Sequence, residues 1–208
     1  MRTMAKKYFE IEDDVEFRGR WYLNGLLDGS GRELDSRDFT YGRPVDVGPP
    51  LKLSLADEDI TVDVEEPLRV SLRRKGKPLD FTFADFDMAV ANKRTADLFA
   101  KVAPSEIQRL PVEVATRKEE FEIINVISQI DCIDEEKSEI EWWTEEDERP
   151  DKIGTPQMIS KLVIDPKRIP GTHIFRPKGW DVVIIVSDVL KQVLEEAKVT
   201  GIGFRATW

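Results

Sequence analysis

The stretch His173–Thr207, HIFRPKGWDVVIIVSDVLKQVLEEAKVTGIGFRAT, changes its hydrophobic period twice, and those changes decide the fold. Val182 to Val186 is the longest unbroken aliphatic run in the chain, a pattern suited to a strand covered on both faces. Ser187 is a capping type, Asp188 sits where the helix dipole favours an acid, and Val189, Leu190, Val193, Leu194 and Ala197 form one apolar stripe at helical spacing. Lys198 falls in the last turn and Thr200-Gly201 stops the helix. Ile202, Phe204 and Ala206 then alternate with Gly203, Arg205 and Thr207 in a second strand. The reading is strand, helix, strand, with a link of about 14 residues, long enough for a crossover.

A fainter copy lies in the middle of the chain. Phe86 to Ala91 leads to Asn92, another capping type, and then to a helix with the stripe Leu98, Phe99, Val102 and Ala103. Pro104 stops it, and Leu110 to Ala115 resumes as a strand. Leu98, Phe99 and Val102 precede Val193, Leu194 and Ala197 by 95 positions, so the two helices bury the same face. Before this unit the chain is β-rich: Tyr8–Glu12 alternates, Trp21, Leu23 and Leu26 anchor the next segment, Asp28–Gly31 breaks it, and Leu51–Leu55 and Ile60–Val64 alternate again. Gly42–Pro50, with three prolines, reads as an irregular connection. The predicted fold is α+β, with mixed sheets, principal helices near 93–103 and 188–198, a β-rich part over 1–78 and a core over 79–208 beginning after Gly76-Lys77-Pro78.

A length of 208 residues suffices for a substantial core, and 40% hydrophobic content argues against wholesale disorder. One cysteine, Cys132, makes no internal disulfide, and no run approaches a membrane span. The expectation is a cytoplasmic protein without a membrane partner. The net charge of −10 is concentrated: from Asp131 to Asp151 there are eleven acids against Lys137 and Arg149, so that window carries −9. Such a density repels nucleic acid and attracts a basic protein surface; it also suits a solvated loop. Asp57–Glu66 carries six acids and Arg69–Lys77 five bases, blocks expected to neutralise one another, with a phosphate site at the bases as the alternative.

Catalytic constellations are sparse. A single histidine, His173, excludes histidine-rich metal sites, and its place among turn residues suits a structural role. Cys132 sits among aspartates, which raise a thiol pKa, so it is not read as a nucleophile. No phosphate-binding loop, dinucleotide fingerprint or paired C-x-x-C is present. Asp85 and Asp87 can be read as a divalent-cation pair, or as aspartates pointing outward from a strand. No catalytic residue, metal ligand or cofactor is assigned.

Phe121–Ile130 reads as a central strand. Ile133–Trp143 is expected to turn back through Asp134–Lys137, with Ile140 and Trp142 on one side and Trp143 on the other, and Thr144–Gly154 to be a polar linker. Trp142 and Trp143 stand directly before Glu145, Glu146, Asp147 and Glu148. Tryptophan is enriched in binding hot spots, and a rim of acids steers a basic partner. These six residues are the candidate binding site.

The order of several segments resembles a bacterial family first catalogued as a domain of unknown function and grouped among the immunity proteins of polymorphic toxin systems, immunity protein family eleven. The segments are Leu110–Val114, Glu122–Val126, Ile130–Asp134 with Lys137-Ser138, Leu162–Asp165, Ile174–Arg176, Ile184–Ser187 and Thr200–Phe204, over roughly residues 80–206. The resemblance implies a cytoplasmic, non-enzymatic antitoxin used in interbacterial competition, encoded beside a secreted toxin whose domain it binds. It supplies no contact residues. Two other classes stay open on sequence: a small-molecule enzyme using Asp85 and Asp87, and a scaffolding subunit that self-associates.

Overall fold

The computed structural model describes residues 7–35, 44–45, 51–55, 58–62, 67–114 and 117–208, with 51–55 and 58–62 by backbone alone. The terminal unit forms as its periods require. Strand β1 (Tyr8–Asp13) opens the chain and belongs with it. After β2 (Tyr22–Leu27), the hairpin β3 (Leu51–Leu55) and β4 (Glu58–Val62), and β5 (Leu68–Arg74), the middle unit begins with β6 (Phe81–Ala84) and β7 (Met88–Asn92). Helix α1 (Lys93–Val102) starts where the Asn92 side chain accepts the Thr95 N–H at 3.0 Å. Strands β8 (Ile107–Val114) and β9 (Phe121–Val126) complete that unit. Then come β10 (Gln129–Ile130), β11 (Glu139–Trp142), β12 (Pro156–Lys161), β13 (Ile174–Pro177) and β14 (Ile185–Ser187). Helix α2 (Asp188–Glu196), capped by the Ser187 hydroxyl on the Leu190 N–H, and β15 (Ile202–Ala206) close the chain.

Six strands form a closed barrel in the order β2-β5-β8-β9-β7-β6, and five form a sheet in the order β10-β13-β14-β1-β15. Both strand-helix-strand units are therefore split: β7 and β8 run parallel with β9 antiparallel between them, and β14 and β15 run parallel with β1 between them. The units lie in separate sheets. Strands from both sides of residue 78 share the barrel, β2 and β5 from before it and β6 to β9 from after.

Trp21, Leu26, Val70, Leu110 and Ile123 fill the barrel. A second core lies between barrel and sheet, where Phe99 of α1 and Leu190 and Leu194 of α2 meet Phe81, Val126 and Val186. A third, on the other face of the sheet, gathers Tyr8, Cys132, Phe175 and Ile185. Three sequence expectations are corrected. The aliphatic run is buried only from Ile184, since Val182 is exposed; Val189 of the α2 stripe is exposed; and Phe86 stands out at a turn, 87% exposed, so that β7 begins only at Met88. Val182 and Phe86 lie in the turns that lead towards β14 and β7, and Val189 lies in the first turn of α2 on its uncovered side; periodicity alone does not locate these boundaries. The Gly42–Pro50 connection and the acidic block 57–66 fall mainly outside the described residues.

Candidate protein interface

The segment that carries the tryptophans and acids is a two-stranded arm. β11 and β12 pair only with each other, in the register Glu139↔Lys161, Ile140↔Ile159, Glu141↔Met158 and Trp142↔Pro156, with irregularities after Glu139 and after Glu141. Thr144–Gly154 is thus the connection of a hairpin, not a linker, and the expected turn at Asp134–Lys137 instead brings the chain to the foot of the arm. There Ser138 fastens it: its hydroxyl accepts the Val163 N–H at 3.0 Å and faces the Val163 carbonyl at 3.1 Å, while the Asp134 N–H donates to the same carbonyl at 2.9 Å.

At the tip, Glu145–Asp147 makes one 3-10 turn. The Asp147 carboxylate accepts the N–H and hydroxyl of Thr144 at 2.8 and 2.9 Å, and these bonds hold its pKa below the ordinary carboxylate range. Glu148 follows with φ +54°, left-handed backbone that a non-glycine residue adopts at a cost. Trp142 is 38% exposed; Trp143 is half-buried, with the Lys152 ammonium 5.1 Å from its ring centre, and the Trp143 N–H donates to the Thr155 carbonyl. Neither tryptophan enters a core. Glu145, Glu146 and Glu148 are exposed, and among the described residues no ion pair engages them, whereas Arg149 is held by Asp151 at 2.9 Å. All six sequence-proposed residues thus lie together at the end of the arm.

Sequence reasoning missed the second strand. Pro156 and Ile159, opposite Trp142 and Ile140, complete the apolar surface those two begin, while Met158, 45% exposed, lies opposite Glu141 on the other side. The only cue is the weak alternation of PQMISK after Gly154.

The other candidates separate. Asp85 has φ +57° in the turn between β6 and β7, and Asp87 is buried with its carbonyl accepting from Arg176 at 3.2 Å, so the pair does not project from a strand. Neither lines the concavity of about 430 Å³ at Pro67, Lys93, Arg117 and Phe121, nor that of about 460 Å³ at Ile133, Glu135, Glu136 and Arg168. Among the described residues no three His, Cys, Asp or Glu side chains are placed to hold a metal. Burial, with Asp131 beside it, pushes the Cys132 thiol up to about 12. His173 Nδ1 is 2.8 Å from the Ser187 hydroxyl, within the cap of α2. The basic block is dispersed: Arg69 reaches Glu113 and the Gly29 carbonyl, Arg74 lies over Tyr22 and Lys77 over Phe17. Among the described residues no helix is long and apolar enough to cross a membrane.

The family described as Immunity protein family (Imm11) matches the sequence over residues 24–207. No curated protein matches it.

Proposed function

The chain belongs to the Immunity protein family (Imm11), and from that membership together with the arm we propose that it neutralises a cognate secreted toxin by stoichiometric binding, performing no chemistry itself. Trp142, Trp143, Glu145, Glu146, Asp147 and Glu148 lie in the contact. The toxin domain is basic, in the manner of a nuclease whose cleft must attract phosphate, and the carboxylates at the tip occupy that cleft as a mimic of nucleic-acid charge. The site of action is the cytoplasm, and neither nucleic acid nor membrane is a partner.

The observation that carries this reading is the set of exposed carboxylates at Glu145, Glu146 and Glu148, without counter-ions among the described residues and set beside an exposed indole. A folded protein gains nothing in stability from like charges gathered on a projecting tip. A cationic partner gains steering, which lifts association towards about 10⁸ per molar per second. The test is charge reversal, Glu145→Lys, Glu146→Lys and Glu148→Lys together, against the toxin domain encoded by the neighbouring reading frame. Association at low salt is expected to fall by on the order of 10- to 100-fold. Unchanged association removes the acidic tip from the interface.

A further inference from the structure

The arm has two dissimilar faces. On one, Ile140 is opposite Ile159 and Trp142 is opposite Pro156; on the other, Glu139 is opposite Lys161 and Glu141 opposite Met158. The two register irregularities keep this sorting in step on both strands. The first face is wholly apolar, yet Ile140, Ile159 and Pro156 are only half-buried, Trp142 is 38% exposed, and none of the four belongs to any of the three cores. A two-stranded hairpin in water is marginal; it becomes stable when a third strand or a second layer covers its apolar side. Here that layer is missing from the described residues.

We propose that the apolar face formed by Ile140, Trp142, Pro156 and Ile159 is the seat on which the toxin domain packs, supplying the missing layer, while the acids at the tip guide the approach and end in the cleft beside it. This rests on the functional reading above and divides its labour: carboxylates set the association rate, the apolar face sets the residence time. The occupant is a partner surface with an apolar patch bordered by lysine or arginine. Charge selects it over a second copy of this chain. Residues 139–161 carry seven acids and three bases, and a symmetric self-contact would bring two such arms together. A rim of cations instead meets Glu139, Glu141 and the tip with opposite sign.

The experiment compares the full-length chain with Ile140→Thr/Ile159→Thr, which keeps β-branched shape and strand preference while removing apolar surface. The binding probe is the catalytically inactivated toxin domain from the neighbouring reading frame, followed by surface plasmon resonance at several salt concentrations. Dissociation is expected to accelerate by on the order of 30-fold, the mark of losing a hot spot. Association should stay within about threefold at every salt concentration, since the charges that steer encounter are untouched. Hydrogen exchange on the wild-type chain gives a second reading that does not depend on the variant: amides of 139–161 should gain protection in the complex. Unchanged dissociation, or arm amides that exchange as fast bound as free, overturns the proposal while leaving toxin binding intact. A wild-type dimer that the double variant dissociates assigns the face to self-association and also overturns it. A wild-type chain that does not bind the toxin domain at any salt concentration sinks the functional reading itself.

Discussion

Lys198 holds a backbone conformation that a side chain resists. Its φ is +54°, and around it the Val199 N–H donates to the Leu194 carbonyl and the Lys198 N–H to the Glu195 carbonyl, the paired bonds that close a helix through a left-handed residue. Glycine is the usual occupant, so Lys198→Gly is expected to raise stability by about 0.5–1 kcal/mol, the left-handed strain relieved less the entropy glycine adds to the unfolded chain. A urea midpoint that does not rise contradicts this. Gly201 presents the opposite case: at φ +90°, an added Cβ would stand 2.1 Å from the Phe81 carbonyl oxygen, so Gly201→Ala is expected to cost more than about 2 kcal/mol, read from the same urea titration. Nearby, burial raises the pKa of the Asp80 carboxyl, but donation from the Thr200 N–H and hydroxyl at 2.9 and 2.8 Å, with Asn92 and Arg94, outweighs it and leaves the pKa below its ordinary value. The stabilisation is therefore present above the unfolded carboxyl pKa of about 3.9 and is lost as pH falls through the lower folded value. Asp80→Asn should lower stability at pH 7 by about 1.5–3 kcal/mol and flatten its decline below pH 4, as followed by chemical denaturation across pH. The helix stop expected at Thr200-Gly201 falls earlier, at Lys198, while the caps Asn92 and Ser187 were legible in sequence because each acts through its own side chain. Lys198 was not, because nothing in a lysine marks a left-handed position.

Among the elements, the arm departs furthest from its sequence reading. Ile140, Trp142 and the acids after them were legible because a strand sorts alternate residues to opposite sides. The partner strand was obscured by Pro156 at its start and by the irregular register, both of which blur period-two alternation. An element that contributes no side chain to any core adds little to the stability of the body. Replacing residues 140–160 with Asn-Gly, a two-residue turn joining the paired Glu139 and Lys161, is expected to shift Tm by less than about 2 °C while abolishing toxin binding. A large fall in Tm would show the arm to be part of the folding unit, and the Ser138 clamp to be more than a hinge point.

At the scale of the molecule, the two split units were visible as a shared period, but what divides each of them was not. Phe9 pairs with both Val186 and Ala206, and a pairing that spans most of the chain leaves no local trace in either segment. Barrel and sheet meet through other long-range contacts. Both helices contribute to the core between them. Arg20 joins Asp13 at 2.9 Å to the Thr82 hydroxyl at 2.7 Å, and Phe83 N–H reaches the Asp13 carboxylate at 3.1 Å. On the far side Arg176 of β13, fully buried, donates to the carbonyls of Asp181 and of Asp87 in the barrel. Arg176→Met keeps the length and removes the charge, but it leaves both carbonyls short of a donor and so is expected to cost about 2–4 kcal/mol. The lost stability should appear in one transition, with the fluorescence of a chain that keeps Trp21 as its single tryptophan reporting the barrel and far-ultraviolet circular dichroism reporting the whole chain at the same midpoint. If the sheet melts first and leaves Trp21 shielded, the barrel stands alone, and the buried guanidinium is a bolt between two independently stable halves.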